Sequence, residues 1–269
     1  MKRYVVLNKS RGKTPLEVVT LWKQSEPAYK ETRASYAGRL DPMASGKLLV
    51  LLGEECKNQK QYTKLDKEYE IEVLLDIGTD TGDVLGLARM PSEETHPTLQ
   101  ALKDALQAET GTHERAYPSY SSKTVDGIPL FLYALKGTLA SITIPTHPET
   151  IYAVANVATT TISKEALEKT IVELLHTVPR DDAESKREGA DFRQDAVRER
   201  WQELFSATPE RTFTIVRVRV TAGTGTYMRT LAERIGDAFG TRALALSIKR
   251  TKIGRYLPIA RTGIWIKQY

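Results

Sequence analysis

Three short segments contain the side chains with the most potential for chemistry: Asp41 in the loop Gly38–Gly46, Tyr69 just after Lys67, and Arg229 after the turn Gly223–Gly225. An aspartate between a glycine-containing loop and a proline usually closes a turn or caps a helix. A tyrosine at the start of a strand is usually a core or edge aromatic. A glycine-rich turn that leads into a helix either binds an anion at the helix N-terminus or is a tight turn beside a surface arginine. Each segment alone leaves both interpretations open.

The elements that must position these segments are visible as hydrophobic patterns. Thr14-Pro15-Leu16-Glu17 is a helix start, with a capping threonine, a first-turn proline and a glutamate three residues after the cap. The apolar face of this helix is predicted at Leu16, Val19 and Trp22. The other predicted helices contain Leu99, Leu102 and Leu106; Leu167, Ile171, Leu174 and Leu175; and Tyr227–Phe239, which Gly240 ends.

Strands are predicted between these helices. Glu68–Leu75 alternates, with Tyr69, Ile71, Val73 and Leu75 on one face. Because strands and helices mix without regular βαβ spacing, we predict an α+β domain on a mixed or antiparallel central sheet flanked by helices. The remaining predicted strands are Tyr4–Leu7, Leu48–Leu52, Phe213–Val220 and a last long strand at Ala243–Lys249. In Phe213–Val220, residues Val216, Val218 and Val220 lie on one face, and Arg217 and Arg219 lie on the other.

One stretch differs in character. Residues 180–203 contain six basic and eight acidic side chains, a density typical of a solvated face or a mobile arm. We interpret about 146–211 as a charged, partly helical insertion into a single catalytic domain that covers residues 1–269. An RNA-gripping arm is the functional alternative.

Composition excludes several classes of protein. The chain has 269 residues, 41% hydrophobic and 27% charged, with a formal net charge of +5, so it is neither disordered nor fibrous. The longest apolar run, Leu48–Leu52, is far short of the ~20 residues that span a bilayer. Cys56 has no partner for an internal disulfide. We expect a cytoplasmic protein, a monomer, with no membrane contact.

The spacing of possible metal ligands and the distribution of charge limit the cofactors and partners that we expect. None of the four histidines lies three or four residues from another, and there is neither a P-loop nor a dinucleotide fingerprint, so we expect no metal and no cofactor. The last 28 residues hold seven basic and no acidic side chains and account for the whole positive excess. A basic end on a nearly neutral body is either a footprint for a phosphate backbone or a solvated surface.

Taken together, the motifs resemble the TruB family of pseudouridine synthases. Gly38–Gly46 follows the family's nucleophile loop GxLDPxASG, and Gly225–Arg229 is similar to its G-T-Y-I-R. Further similar segments, in the family's order, are Gly53–Lys57, Thr79–Asp83, and Tyr117–Ser122 with the following Gly127, Leu130 and Phe131.

The resemblance implies a pseudouridine synthase fold and a reaction without a cofactor, in which uridine within RNA is isomerised to pseudouridine. The target uridine must be flipped out of the folded RNA before it can react. The usual substrate of the family is the T-loop uridine of tRNA, position 55 in tRNA nomenclature. RNA, with tRNA first, is therefore the expected partner.

The resemblance also implies roles for individual residues. Asp41 is the catalytic aspartate, which either attacks the sugar or takes a proton and leaves a glycal. Tyr69 stacks on the flipped base, and Tyr227 lies near C5 of the base. Arg229 pairs with Asp41 and opposes the rise in its pKa on desolvation. The expected RNA contacts are Tyr36, Arg39, Lys67, Lys249, Arg250 and Lys252.

Three departures from the family pattern stand out. Tyr36 occupies the position of a histidine five residues before the aspartate, where it could wedge into RNA, and Arg39 replaces a small residue. The charged stretch at 163–211 is longer than the family's usual connection. Only 13 residues follow Tyr256, so no C-terminal PUA domain is expected.

Three alternatives remain at this point. One is a pseudouridine synthase for another RNA, and a second is a non-catalytic RNA-binding or RNA-folding factor on the same scaffold. The third is a hydrolytic glycosidase, which usually needs two carboxylates at the scissile bond. Asp80 and Asp83 are candidates for the second carboxylate but are interpreted as loop stabilisers.

Overall fold

The structure, a computed structural model, describes residues 2–90, 93–178, 193–259 and 262–269. The α-helices of this part are α1 (Pro15–Ser25), α2 (Gln59–Thr63), α3 (Leu99–Ala108), α4 (Leu130–Leu135), α5 (Lys164–Thr177), α6 (Gln194–Ala207) and α7 (Met228–Asp237). Short 3-10 helices occupy Pro27–Tyr29, Gly53–Asn58 and Leu139–Ser141. The strands are β1 (Tyr4–Lys9), β2 (Ala34–Ala37), β3 (Ala44–Leu52), β4 (Asp66–Leu75), β5 (Gly78–Thr79), β6 (Ala88–Arg89), β7 (Gly111–Ala116), β8 (Thr124–Val125), β9 (Ile128–Pro129), β10 (Thr146–Ser163), β11 (Thr212–Ala222), β12 (Ala243–Ile259) and β13 (Thr262–Gln268).

Nine of the described strands form one mixed sheet. The order is β1-β3-β12-β4-β11-β10-β7, with β2 added to β3 and β13 added to β12. The β12–β3 pair is parallel, with Ile248 opposite Ala44, and the other pairs in this sheet are antiparallel. The predicted α+β class with a mixed central sheet is confirmed.

Helices cover both faces of this sheet. On one face, α3 and α7 pack against Ile71, Val73 and Leu75 of β4. On the other face, α5 and α6 pack against Leu74. Because successive strand residues point to opposite faces, the alternation read from the sequence places β4 between these two layers. None of the described helices is both long and apolar enough to cross a lipid bilayer.

The start of α1 confirms one local prediction and corrects another. The backbone N–H of Glu17 donates to the Thr14 hydroxyl at 3.2 Å, and the Thr14 N–H donates to the Glu17 carboxylate at 2.6 Å. This is the predicted capping box. Leu16 was wrongly placed on the apolar face, since it is 65% exposed. Val19 is buried as predicted, and Val18 is buried in place of Leu16; both lie in the cluster that joins α1 to β3.

The C-terminal part is more extended than predicted. The strand expected at Ala243–Lys249 continues to Ile259 as β12 and then turns back as β13. Tyr256 pairs with Trp265 across this hairpin, and their rings lie 5.3 Å apart. The sequence pattern missed the hairpin because its side chains do not alternate clearly between polar and apolar.

The segment interpreted as an insertion is part of the fold where the structure describes it. Its first 18 residues are β10, which pairs with both β7 and β11. Residues 194–203 lie in α6, where Trp201 is 2% exposed, so this portion packs into the fold and is not a mobile arm. Its charged residues Asp195, Glu199, Arg200 and Glu203 are exposed and form the predicted solvated face. The charges at 180–192 lie outside the described residues.

Candidate active site

Asp41 lies in the loop between β2 and β3, next to the parallel pairing of β3 with β12. Gly38 in this loop has φ +81°, a conformation that a side chain would strain. The N–H of Ala44 donates to the Asp41 carbonyl at 3.0 Å and closes a turn around Pro42. The Asp41 side chain is 47% exposed, so its carboxylate faces outward from a tightly closed turn.

Lys9 supports this loop from within the protein. The residue is 0% exposed, and its Nζ donates to the carbonyls of Ala44 at 2.6 Å and Pro42 at 3.3 Å. Burial lowers the Lys9 pKa to about 8, although the nearby Asp41 charge opposes this effect. Lys9 was not predicted as part of the site, because a lysine at the end of an edge strand usually points into solvent.

Arg229 meets Asp41 from the first turn of α7. Its Nε donates to Asp41 Oδ2 at 2.9 Å, and its side chain is only 6% exposed. Nη1 donates to the Thr81 carbonyl at 2.5 Å, and Nη2 donates to the Tyr120 carbonyl at 3.0 Å. The guanidinium is thus held by two loops while one edge faces the carboxylate.

A second carboxylate, Asp83, lies behind the pair. Its Oδ2 is 3.8 Å from Arg229 Nε, and its Oδ1 accepts from the Thr81 hydroxyl and the Leu85 N–H. Burial raises the Asp83 pKa to about 6, and Arg229 opposes that rise. The bonds to Thr81 and Leu85 fit the interpretation of Asp83 as a loop stabiliser. In addition, Asp83 contacts Arg229 of the ion pair.

Tyr227 caps the N-terminus of α7 two residues before Arg229. Burial raises the pKa of its hydroxyl, whereas the Arg229 charge opposes the rise. Its ring stands edge-on to Tyr117 and His147, with centroids 6.3 and 6.1 Å away. The His147 ring is stacked on Tyr117, and its Nε2 lies 3.0 Å from the Gly225 carbonyl. Tyr227 is therefore half-buried in an aromatic wall beside the ion pair.

Tyr69 lies on β4, partly buried against the α3–α7 side of the sheet. Its cross-strand partner on β12 is Arg250; burial lowers the Arg250 pKa, and the neighbouring Tyr69 opposes this effect. Arg250 also donates through Nη2 to the Gly38 carbonyl at 3.1 Å and through Nη1 to the Arg39 carbonyl at 3.4 Å. Arg250 thus connects Tyr69 to the loop that contains Asp41.

The six residues expected to contact RNA differ in how far their side chains are exposed to solvent. Arg39 and Lys249 are exposed. Arg250 is 1% exposed, so it is a buried support of the Asp41 loop and not a surface contact. Lys67 is 5% exposed and donates to the Thr63 carbonyl at 2.9 Å; burial lowers its pKa to about 7.

The other two expected RNA contacts are partly buried. Tyr36 packs against the cluster of α1 and β3. Lys252 pairs with Glu68 at 3.0 Å and lies over the Trp265 ring. Among the described residues, no group of three His, Cys, Asp or Glu side chains is arranged to hold a metal ion.

The fold is similar to that of a protein whose structure has been solved. One chain of the crystal structure of a Cbf5-Nop10-Gar1 complex superposes with a TM-score of 0.53 at 17% identity, over 93% of this chain and 48% of that chain. The two chains therefore share a fold.

Sequence comparison defines the family. Residues 27–172 match the model of the TruB family pseudouridylate synthase N-terminal domain, and the chain belongs to this family. The curated "tRNA pseudouridine synthase B" of Aromatoleum aromaticum is 30% identical over 94% of this chain and 63% of its own length. That of Ralstonia pickettii is 30% identical over 82% of this chain and 54% of its own length. The chain therefore spans less than two thirds of these relatives.

Proposed function

We propose that the protein is a pseudouridine synthase that isomerises uridine within RNA, with the T-loop uridine at position 55 of tRNA as its substrate. The names of the curated relatives support tRNA as the substrate, and the position follows from the family resemblance of the motifs. The observation that carries the proposal is the Asp41–Arg229 ion pair, with its half-exposed carboxylate and buried cation. A factor that only binds RNA has no need for an outward-facing carboxylate held against a buried arginine.

The reaction rearranges bonds without a net gain or loss of atoms. The N1–C1′ bond of uridine breaks, the uracil turns, C5 bonds to C1′, and the proton on C5 leaves while N1 gains one. Asp41 starts this sequence at the ribose, by attack on C1′ or by removal of the C2′ proton. Arg229 stays 2.9 Å from the carboxylate and offsets the cost of removing water from it when RNA covers the site.

The two tyrosines act on the base. Tyr69, at the sheet surface beside the Asp41 loop, stacks on the flipped uracil, a contact worth ~1–3 kcal/mol per base. Tyr227 stands next to the ion pair, where its hydroxyl faces the departing C5 proton. Its raised pKa keeps the hydroxyl protonated at neutral pH, so it orients the base or relays a proton and is not a permanent base.

RNA approaches over an exposed basic surface that includes Arg39 and Lys249. The enzyme acts as a cytoplasmic monomer; the buried free thiol of Cys56 is consistent with a reducing compartment. The test is pseudouridine formation on unmodified tRNA transcript by wild type and Asp41→Asn, with RNA binding measured in parallel. Asp104→Asn, an exposed carboxylate change on α3, is the matched control.

We expect pseudouridine at the T-loop with wild type and with the control, and binding without product with Asp41→Asn. Binding without product in all three proteins would contradict the tRNA assignment. Comparison of pseudouridine across total cellular RNA, with and without the gene, would then separate another RNA target from a binding factor. Release of free uracil would identify hydrolysis instead.

A further inference from the structure

Arg193 precedes α6 and lies against two loops that hold Arg229. Its Nη1 is 2.7 Å from Asp80 Oδ2, and its guanidinium carbon lies 4.9 Å from the centre of the Tyr120 ring. The Arg193 and Asp80 side chains are 23% and 19% exposed, so solvent only partly screens their pair.

Asp80 and Tyr120 also bind each other. The Tyr120 hydroxyl donates to Asp80 Oδ2 at 2.9 Å, and the Leu87 N–H donates to Asp80 Oδ1 at 2.8 Å. Burial acts to raise the Asp80 pKa, but the bonds from Arg193 and Leu87 outweigh it and keep the pKa below its ordinary value. Asp80 is thus an ionised junction between residues 79–88 and residues 117–123.

These loops provide the two carbonyls that hold Arg229. Thr81, the neighbour of Asp80, accepts from Nη1, and Tyr120 itself accepts from Nη2. Residues 89–116, a connection of 28 residues, separate the two loops along the chain, so the contacts at Asp80, Tyr120 and Arg193 hold them together in space. A change in the distance between the loops moves the guanidinium relative to Asp41.

We propose that Arg193 is a positioning residue for catalysis, which clamps the Asp80 and Tyr120 loops together and thereby sets the Arg229 guanidinium against Asp41. The expected effect of Arg193 on the reaction rate rests on the proposed function. Its expected effect on the distance between Arg229 and Asp41 does not depend on any reaction. Arg193 touches neither Asp41 nor Arg229 directly in the described contacts, so its effect is on alignment.

The kinetic experiment compares Arg193→Gln and Arg193→Lys with wild type in single-turnover pseudouridine formation. Misplacement of about 1 Å costs up to about a hundredfold in rate, so Arg193→Gln should lower the rate constant about tenfold to a hundredfold. Its Kd for RNA should stay within about twofold of wild type. Arg193→Lys should fall between, because an ammonium keeps the charge on Asp80 but lacks the planar group on Tyr120.

Arg217→Gln is the matched control, because Arg217 is exposed and pairs with Glu72 of β4, not with residues 79–88 or 117–123. Its rate should equal that of wild type. A folded Arg193→Gln protein with the wild-type rate, or one whose lost activity is explained by weaker RNA binding, would overturn the proposal.

A crystal structure of Arg193→Gln separates this inference from the proposed function. Displacement of Arg229 Nε beyond hydrogen-bond distance of Asp41, about 3.5 Å, supports the clamp even if no RNA substrate is found. An unchanged pair rejects it. Absence of product from wild type, by contrast, counts only against the proposed function.

Discussion

Arg229 and Asp41 form an asymmetric ion pair across 188 positions of the chain. Nε lies 2.9 Å from Oδ2, yet the arginine side chain is 6% exposed and the aspartate side chain 47%. The protein therefore fixes the cation and presents the anion. This asymmetry suits a carboxylate that must reach a sugar, because movement of Asp41 does not release Arg229 from its two carbonyl partners.

Arg229→Lys should reduce both activity and stability. An ammonium cannot reach Asp41 and both carbonyls in the planar geometry of a guanidinium, so buried acceptors lose their donors. We expect the single-turnover rate to fall about a hundredfold or more. The free energy of unfolding, measured in urea, should fall by about 2–3 kcal/mol. Arg217→Lys at the exposed Arg217–Glu72 pair is the control and should change stability by less than about 1 kcal/mol.

Asp83 should make stability depend on pH between about 4 and 7. Its folded pKa of about 6 lies above the ordinary value of 3.8, so the folded state holds this proton more tightly than the unfolded chain. The associated stability is present below pH 3.8 and is lost as the pH rises through 6. The loss is on the order of 3 kcal/mol.

Asp83→Asn removes this titration while keeping an oxygen for Thr81 and Leu85. Urea unfolding of both proteins at a series of pH values should show wild type losing stability relative to the variant as pH rises. Parallel curves for the two proteins would mean that Asp83 does not bind its proton more tightly on folding.

Lys249 and Arg250 are adjacent but should respond differently to substitution. Lys249 is exposed, so Lys249→Ala should weaken RNA binding and lower the slope of log affinity against log salt by about one. Arg250 is buried and donates hydrogen bonds to the carbonyls of Gly38 and Arg39. Because Arg250→Met removes these bonds, it should destabilise the fold by about 3 kcal/mol or more. Salt-dependent RNA titration and urea unfolding of both variants test this contrast. A normal stability for Arg250→Met would show that its buried bonds contribute little.

Trp201 tests whether α6 belongs to the core. Its indole N–H donates to the Val84 carbonyl at 3.0 Å, and its ring stacks on Phe205 at 5.7 Å. Trp201→Ala should reduce the free energy of unfolding by about 3–5 kcal/mol, whereas the exposed Gln202→Ala should change it little. Equal stabilities of the two variants in thermal unfolding would contradict a core role for α6.

Local patterns were sufficient for much of the secondary structure. The Thr14–Glu17 capping box and the alternation of Ile71, Val73 and Leu75 involve residues close together in the chain. They predicted α1 and β4 correctly. Leu16 failed because the face of a helix that becomes buried depends on the strand it meets, which an isolated pattern does not specify.

The candidate site was predicted from motif resemblance and not from residue type. Alone, Asp41 and Arg229 are consistent with a turn and a surface cation. The structure places them together through the parallel pairing of β3 with β12 and the packing of α7 on the sheet. The roles of Asp41, Tyr69, Tyr227 and Arg229 in catalysis remain predictions for the experiments above.

The sequence by itself determined the periodic elements, the capping box, the C-terminal charge excess and the family motifs, because these depend on neighbours in the chain. Only the tertiary structure decided which charged side chains are buried: Lys9, Lys67, Asp83 and Arg250 are removed from solvent, whereas Lys249 is not. The physical reason is that burial of a charge requires partners from distant segments to offset its desolvation. Those partners, such as the carbonyls of Pro42 and Ala44 for Lys9, are known only once the chain has folded.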